Sequence, residues 1–249
     1  VIRRSPSHLA RVYVELTTEC NLDCTTCMRN VWEQGTGRME RDTFERVLED
    51  IGAMEERPEV FFGGFGEPFA HPQALDWIVE AAGVASRVEL ITNGTMLTEE
   101  AVDRLIRAGV AEVWVSLDGA TPESYADVRL GAQLPRVIEN LKTLKRRKLR
   151  FSSDHPQLGI AFVAMESNVA EMPAVIDLGL TVGAERFSIS NLLPHTEDMR
   201  EEILYEYERR RWKSIGYDVD LPRMDTTNPN VAEALSGVIS PRRTSAGMP

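Results

Sequence analysis

The sequence predicts an α/β protein built on parallel strands, and three observations carry that expectation. Short runs rich in β-branched and apolar residues alternate with longer segments of helical periodicity, the pattern of repeated βαβ units. The strand runs are nearly unbroken in apolar character, as in a sheet buried on both faces. The chain has 249 residues, 43% hydrophobic and 27% charged, enough to bury one large core with the composition of an ordinary globular protein.

The strand candidates, in order, are VYVELT (12–17), EVFFGGF (59–65), RVELITN (87–93), EVWVSLD (112–118), LGIAFVAM (158–165) and RFSISNLL (186–193). Helix punctuation lies between them. After the first strand, Asp42 with Glu45 reads as a capping box ahead of Phe44, Val47, Leu48 and Ile51, with Pro58 beyond the helix. After the third, Thr98 can cap, Glu99 and Glu100 occupy the first turn, and the stripe Val102, Leu105, Ile106 ends at Gly109. After the fourth, PRVIENLKTLKRR has helical spacing, and the basic run KRRKLR (145–150) closes it where cations complement the macrodipole. From about Gly216 onward, LPRMDTTNPN and SPRRTSAGMP hold turn formers and little apolar periodicity, which predicts a linker or tail. Six units are fewer than the eight of a closed barrel, and the residues alone leave a barrel and a doubly wound sheet both open. In either, ligands bind at the carboxyl ends of the strands.

Composition narrows the partners. A formal net charge of −11 argues against a general nucleic-acid binder, because neutralising phosphates needs a basic surface. No run of 18 or more apolar residues and no N-terminal signal pattern occurs, so no membrane association and a cytoplasmic location are expected. In a reducing compartment, clustered cysteines point to metal binding or catalysis rather than disulfides.

All three cysteines, Cys20, Cys24 and Cys27, fall in TECNLDCTTCMRN, directly after the first strand. The other strand ends carry GGFGEP (63–68), TNGT (92–95), SLDG (116–119), MESN (165–168) and SNLLP (190–194), so polar groups and glycines converge on one rim. The spacing C-x3-C-x2-C offers three thiolates from a compact loop, which suits three corners of a [4Fe-4S] cluster and leaves one iron without a protein ligand. A zinc site completed by His8 or His71 is the competing metal reading, set against the usual four-ligand requirement. A barrel hydrolase using Glu67 and His71 is a further alternative, and it leaves the cysteines unexplained.

CNLDCTTC, combined with GFGEP at the next strand end, resembles the radical S-adenosylmethionine (radical SAM) superfamily over roughly residues 10–215. The resemblance implies a partial (β/α)6 TIM-type barrel, a core spanning residues 1–215, and residues 216–249 as a linker or the start of a C-terminal extension. It implies a [4Fe-4S] cluster on Cys20, Cys24 and Cys27 whose open iron takes the amino and carboxylate groups of SAM. Reductive cleavage of SAM then yields a 5′-deoxyadenosyl radical that abstracts hydrogen from substrate. Within the family, CNLDCTTCMRNVW, FFGGFGEP and SNLLPHTEDM look like maturases of the SPASM or twitch type, including the maturase associated with tungsten-cofactor oxidoreductases. That implies a peptide, protein or cofactor-precursor substrate and an electron donor such as ferredoxin or flavodoxin. Such extensions need further cysteines, and none follows Cys27; with Val1 in place of methionine, this predicts a core separated from a distal part. A non-catalytic iron–sulfur scaffold is the alternative class, one with no need of the GFGEP turn.

Carried over residue by residue, the resemblance gives Gly64, Phe65, Gly66 and Glu67 to the turn that binds the SAM amino group, glycine permitting close backbone approach. Ser116 matches a hydroxyl position near the methionine or ribose part, and Arg129 an arginine that pairs with the SAM carboxylate through its planar fork. Leu192 matches the region that holds adenine. Asp118 either joins the site or shapes a turn with Gly119. The sequence departs from the family where Thr26 replaces a frequent aromatic, and where Ala161 and Val163 stand in the fifth-strand pattern that otherwise keeps Gly159 and Glu166.

Overall fold

The computed structural model describes residues 9–129, 131, 133–211 and 218–224. All six expected strands form and pair in parallel: β1 (Arg11–Val14), β2 (Glu59–Phe62), β3 (Arg87–Thr92), β4 (Glu112–Ser116), β5 (Gln157–Ala164) and β6 (Arg186–Asn191). Their order in the sheet is β1-β2-β3-β4-β5-β6. A doubly wound sheet reverses its order at a switch point, and this one does not. Right-handed crossovers therefore place the connecting helices on one face and leave the other curling around a lumen. The sheet is a partial (β/α)6 barrel with β1 and β6 as its edges.

The helices are α1 (Arg41–Ala53), α2 (Ala74–Ala82), α3 (Glu99–Arg107), α4 (Pro122–Val128), α5 (Leu134–Phe151) and α6 (Met172–Val182), with a short α7 (Glu197–Arg200) after β6. The core lies between helices and sheet, where Val60, Phe62, Val88, Leu90, Val113, Val115 and Ile160 are buried. Phe44 of α1 stacks on Trp77 of α2 at 4.6 Å between ring centroids. The opposite face is not the apolar surface expected: Glu89, Glu112 and Arg186 lie there beside Phe61 and Trp114, around a cavity of about 370 Å³. The edge strand β6 is largely exposed.

Local expectations held unevenly. Thr98 caps α3 by accepting from the Ala101 N–H, and Gly109 follows the helix at φ +70°. The basic run lies in the last turns of α5, where Arg146, Arg147 and Lys148 pair with Glu139, Asp103 and Glu185. The capping box at Asp42 does not form. The Met39 N–H bonds to the Leu16 carbonyl at 2.8 Å and Thr17 bridges to Arg38, so the chain stays extended up to Glu40 and the helix starts there, with Asp42 inside its first turn.

Two further strands, β7 (Tyr205–Arg211) and β8 (Asp218–Met224), pair antiparallel in a separate sheet. They straddle the position, 215, at which the core is expected to end. His8 and residues 225–249 of the expected linker lie outside the described residues. Among the described residues, no helix is long and apolar enough to cross a membrane.

Candidate active site

The cysteine loop leaves β1 through an extended segment, Glu15–Glu19, that the structure holds from both sides. The Thr17 hydroxyl donates to the Gly37 carbonyl and accepts from the Glu19 N–H. Buried Leu22 anchors the loop in the core. The Cys27 N–H closes a turn on the Cys24 carbonyl, the Asn30 amide donates to that carbonyl at 2.9 Å, and the Thr25 N–H donates to the Val128 carbonyl at the end of α4. All three cysteines are free and partly exposed. They line one cavity of about 180 Å³ together with Gly64, Phe65, Gly66, Glu67 and Arg129, so the two motifs read from sequence meet in space.

The glycine turn after β2 lies across the extended segment. A Cβ on Gly66 would fall 1.9 Å from the Thr17 carbonyl oxygen, and one on Gly64, at φ +154°, would fall 2.2 Å from the Glu15 carboxylate. Both glycines are needed for contact within the protein, which adds to the expectation that they serve approach by a ligand. Glu67 is buried, and its carboxylate accepts from the Thr92 hydroxyl at 2.6 Å, the Asn93 N–H at 2.7 Å and the Phe69 N–H at 3.3 Å. Burial pushes its carboxyl pKa up, and those three donors pull it back. The side chain staples the turn to β3, leaving the backbone as the part that can face a ligand. Among the described residues no hydrogen bond reaches the carbonyl oxygens of Gly64, Phe65 or Gly66.

Arg129, at the end of α4, is pressed into the same wall. It donates to Asp118 at 2.5 Å and approaches Cys24 Sγ at 3.8 Å through Nη1, while its Nε–H has no partner. Burial by itself would favour loss of its proton; Asp118 and Cys24 outweigh burial, so its pKa is raised and the guanidinium stays charged. Asp118 is 0% exposed and spends its second oxygen on the Val163 N–H at 2.8 Å. It is the counter-ion of Arg129. Burial pushes the Cys24 thiol up, and Arg129 opposes that shift. Tyr125, one helical turn before Arg129, is fully buried with its hydroxyl unpartnered and its pKa pushed up to about 12 by that burial.

Sequence reasoning missed a polar chain beside Cys20. The Asn93 amide donates to Asn21 Oδ1 at 2.9 Å and points at Cys20 Sγ at 3.8 Å, and the Leu22 N–H reaches the same sulfur at 3.4 Å. Thr95 completes the chain by accepting from Asn21 and donating to Asn93. The signal lay in TNGT at the third strand end. Ser116 sits at the end of β4, on the register shared by Glu112 and Trp114, and does not line the cysteine cavity. Leu192 is buried in a small second cluster with Val128, Met165 and Met199. His71 is structural: its ring packs on Trp77 and its two nitrogens meet the Met39 carbonyl and the Gln73 N–H. Among the described residues, no group of three or more His, Cys, Asp or Glu side chains is drawn together as ligands of a single ion.

Residues 14–158 match the family model described as the Radical SAM superfamily. This chain belongs to that superfamily. It is 33% identical over 196 residues to the tungsten-containing aldehyde ferredoxin oxidoreductase cofactor-modifying protein of Pyrococcus furiosus, covering 78% of this chain and 55% of that protein. It is 28% identical over 185 residues to the PqqA peptide cyclase of Bradyrhizobium diazoefficiens, covering 73% and 46%. Streptococcus suis SuiB, solved bound to S-adenosylmethionine, shares the fold at a TM-score of 0.64 and 14% identity, over 77% of this chain and 42% of that one. The chain thus spans about half the length of the curated relatives it matches. Radical SAM enzymes use a [4Fe-4S] cluster and SAM, and the residues present fit that pair. Three thiols share one cavity, N–H groups point at two of their sulfurs, and an unspent guanidinium N–H lies in the wall beside them.

Proposed function

We propose that this chain is the catalytic core of a radical SAM maturase that acts on a peptide, protein or cofactor precursor. The observation that carries the reading is the meeting of the three cysteines and the GFGEP turn in one cavity at the carboxyl ends of the strands. Relatives named for modifying a tungsten cofactor and for cyclising a peptide support the substrate class. When bound, the cluster would supply one electron for the reductive cleavage of SAM, and SAM would then supply the radical that takes hydrogen from the substrate.

The protein's own part is placement and charge. Cys20, Cys24 and Cys27 would hold three irons. The unused carbonyls of Gly64, Phe65 and Gly66 are acceptors suited to the three N–H groups of an ammonium. Arg129, kept charged and oriented by Asp118, balances the negative charge of thiolates and offers its Nε–H to a carboxylate. Asn93 and the Leu22 N–H stabilise electron density on Cys20 Sγ. Ser116 and Leu192 are retained as sites of contact with SAM through the strand-end backbone and the lumen. The electron is assigned to a ferredoxin or flavodoxin, and the setting to the cytoplasm.

Anaerobic reconstitution followed by iron and sulfide analysis and Mössbauer spectroscopy tests the reading. One [4Fe-4S] cluster per chain, with SAM cleaved to methionine and 5′-deoxyadenosine after reduction, is expected. A stable zinc site without iron uptake would overturn it, and a cluster that never cleaves SAM would favour the scaffold.

A further inference from the structure

We propose that Glu15 is a positioning residue for the glycine turn, one that locks the Gly64–Phe65 backbone into shape and adds negative charge where a cationic amino group is received. Glu15 is the first residue beyond β1 and lies 50 positions from Phe65, yet its Oε1 accepts the Phe65 N–H at 2.5 Å. That oxygen occupies the space a Cβ on Gly64 would need. The carboxylate therefore fills the gap that glycine leaves and takes up the Phe65 N–H. The carbonyls of Gly64, Phe65 and Gly66 accept no hydrogen bond among the described residues.

Charge follows the same logic. The other carboxylates beside the turn are engaged: Glu67 serves Thr92, Asn93 and Phe69, and Glu19 pairs with Arg38 at 2.7 Å. Among the described residues, Glu15 meets no cation and makes its hydrogen bond through one oxygen, which leaves Oε2 and a full negative charge beside the turn. A charge-assisted bond from a carboxylate is about twice as strong as a neutral one, so the clamp and the charge come from the same side chain.

The inference rests on reading this turn as the amino-group site of SAM, and the test separates the two. Amide hydrogen exchange at Phe65 needs no cofactor. In Glu15→Ala it should quicken about tenfold or more, because the hydrogen bond to a charged acceptor is gone. In cluster-loaded protein the same variant should raise the SAM KM about tenfold with iron content unchanged and kcat affected less. Glu15→Gln, which keeps an acceptor oxygen and loses the charge, should restore exchange protection while recovering only part of the affinity. Unchanged Phe65 exchange in Glu15→Ala would overturn the clamp. Faster exchange with unaltered SAM affinity would instead overturn the assignment of SAM to this turn. Glu15→Gln equal to the parent in both measurements would remove the electrostatic half of the proposal.

Discussion

The two ends of the barrel lumen handle charge in opposite ways. At the amino ends of the strands, Arg11 pairs with Glu59 and Glu89, Arg87 with Glu89 and Glu112, and Arg186 with Glu112, so cations and anions largely satisfy each other, although Glu112 Oε1 has the Arg186 ion pair at 3.3 Å and no hydrogen bond. At the carboxyl ends, Arg129 keeps an unpartnered N–H, and three thiols share a cavity in which N–H groups reach only Cys20 and Cys24. Leaving buried donors unpaired costs stability, so a wall that retains them is shaped for something it does not itself contain. Charges mostly answer one another around the cavity at one end, while at the other the three thiols and the Arg129 N–H are left for a ligand.

The largest expected effect breaks the open end. Replacing Cys20, Cys24 or Cys27 by Ala should abolish SAM cleavage, read as 5′-deoxyadenosine by chromatography. Cleavage retained in all three variants would remove the distinction between the ends.

Next comes the buried pair. Asp118→Ala leaves Arg129 charged and without its partner, and breaking a buried pair costs about 3–5 kcal/mol. A lowered denaturation midpoint should report it. Arg129→Lys keeps the charge but loses the planar fork, and SAM cleavage should fall about 10–100-fold, as for groups that support metal ligands. Activity equal to the parent would mean that Arg129 serves only Asp118.

A smaller effect concerns Glu67 and has a definite sign in pH. Its folded pKa lies above the ordinary 4.5, so the folded state holds the proton more readily than the unfolded one. Glu67 therefore contributes most to stability below that ordinary value, and the contribution falls as pH rises through the raised pKa. Glu67→Gln, lacking one acceptor for Thr92, Asn93 and Phe69, should cost about 1–3 kcal/mol near neutral pH. The difference between parent and variant should widen as pH falls toward 4.5. Urea titrations at several pH values give the measurement, and a gap that narrows would contradict the burial argument.

The smallest effect belongs to the end where charges are paired. Glu112→Gln should leave SAM cleavage unchanged and shift stability by about 1 kcal/mol, because its arginine partners are 30% and 53% exposed and solvent screens the pairs. Loss of cleavage in this variant would show that the two ends are coupled.

Much of this site is legible in the sequence. Period and punctuation located all six strands, and TECNLDCTTCMRN with GGFGEP held most of the residues that line the cavity, the rest being Arg129 and the end of β3 at Ile91, Thr92 and Asn93. The strand runs overreached where they continued into loops: β1 ends at Val14, and the following Glu15–Thr17 turns its polar groups to Phe65 and Gly37. The side-chain duties were hidden for a different reason. Glu67 could be read as part of a ligand turn, but its partners Thr92 and Asn93 lie at the end of another strand and just beyond it. Leu192 reads as an apolar rim residue until Met165 and Met199 close around it.

What the sequence by itself determined is the set of local choices: which runs extend, which coil, and which loop holds the thiols. Those follow from periodicity, caps and spacing between near neighbours. The tertiary structure decided strand order, and with it a singly wound barrel over a doubly wound sheet, because period carries no information on which strand lies beside which. It also decided that Asp118 faces Arg129 and that Glu15 meets Phe65. Pairings between residues far apart in the chain are set by how the sheet curls, and only the folded chain brings those charges within hydrogen-bond reach.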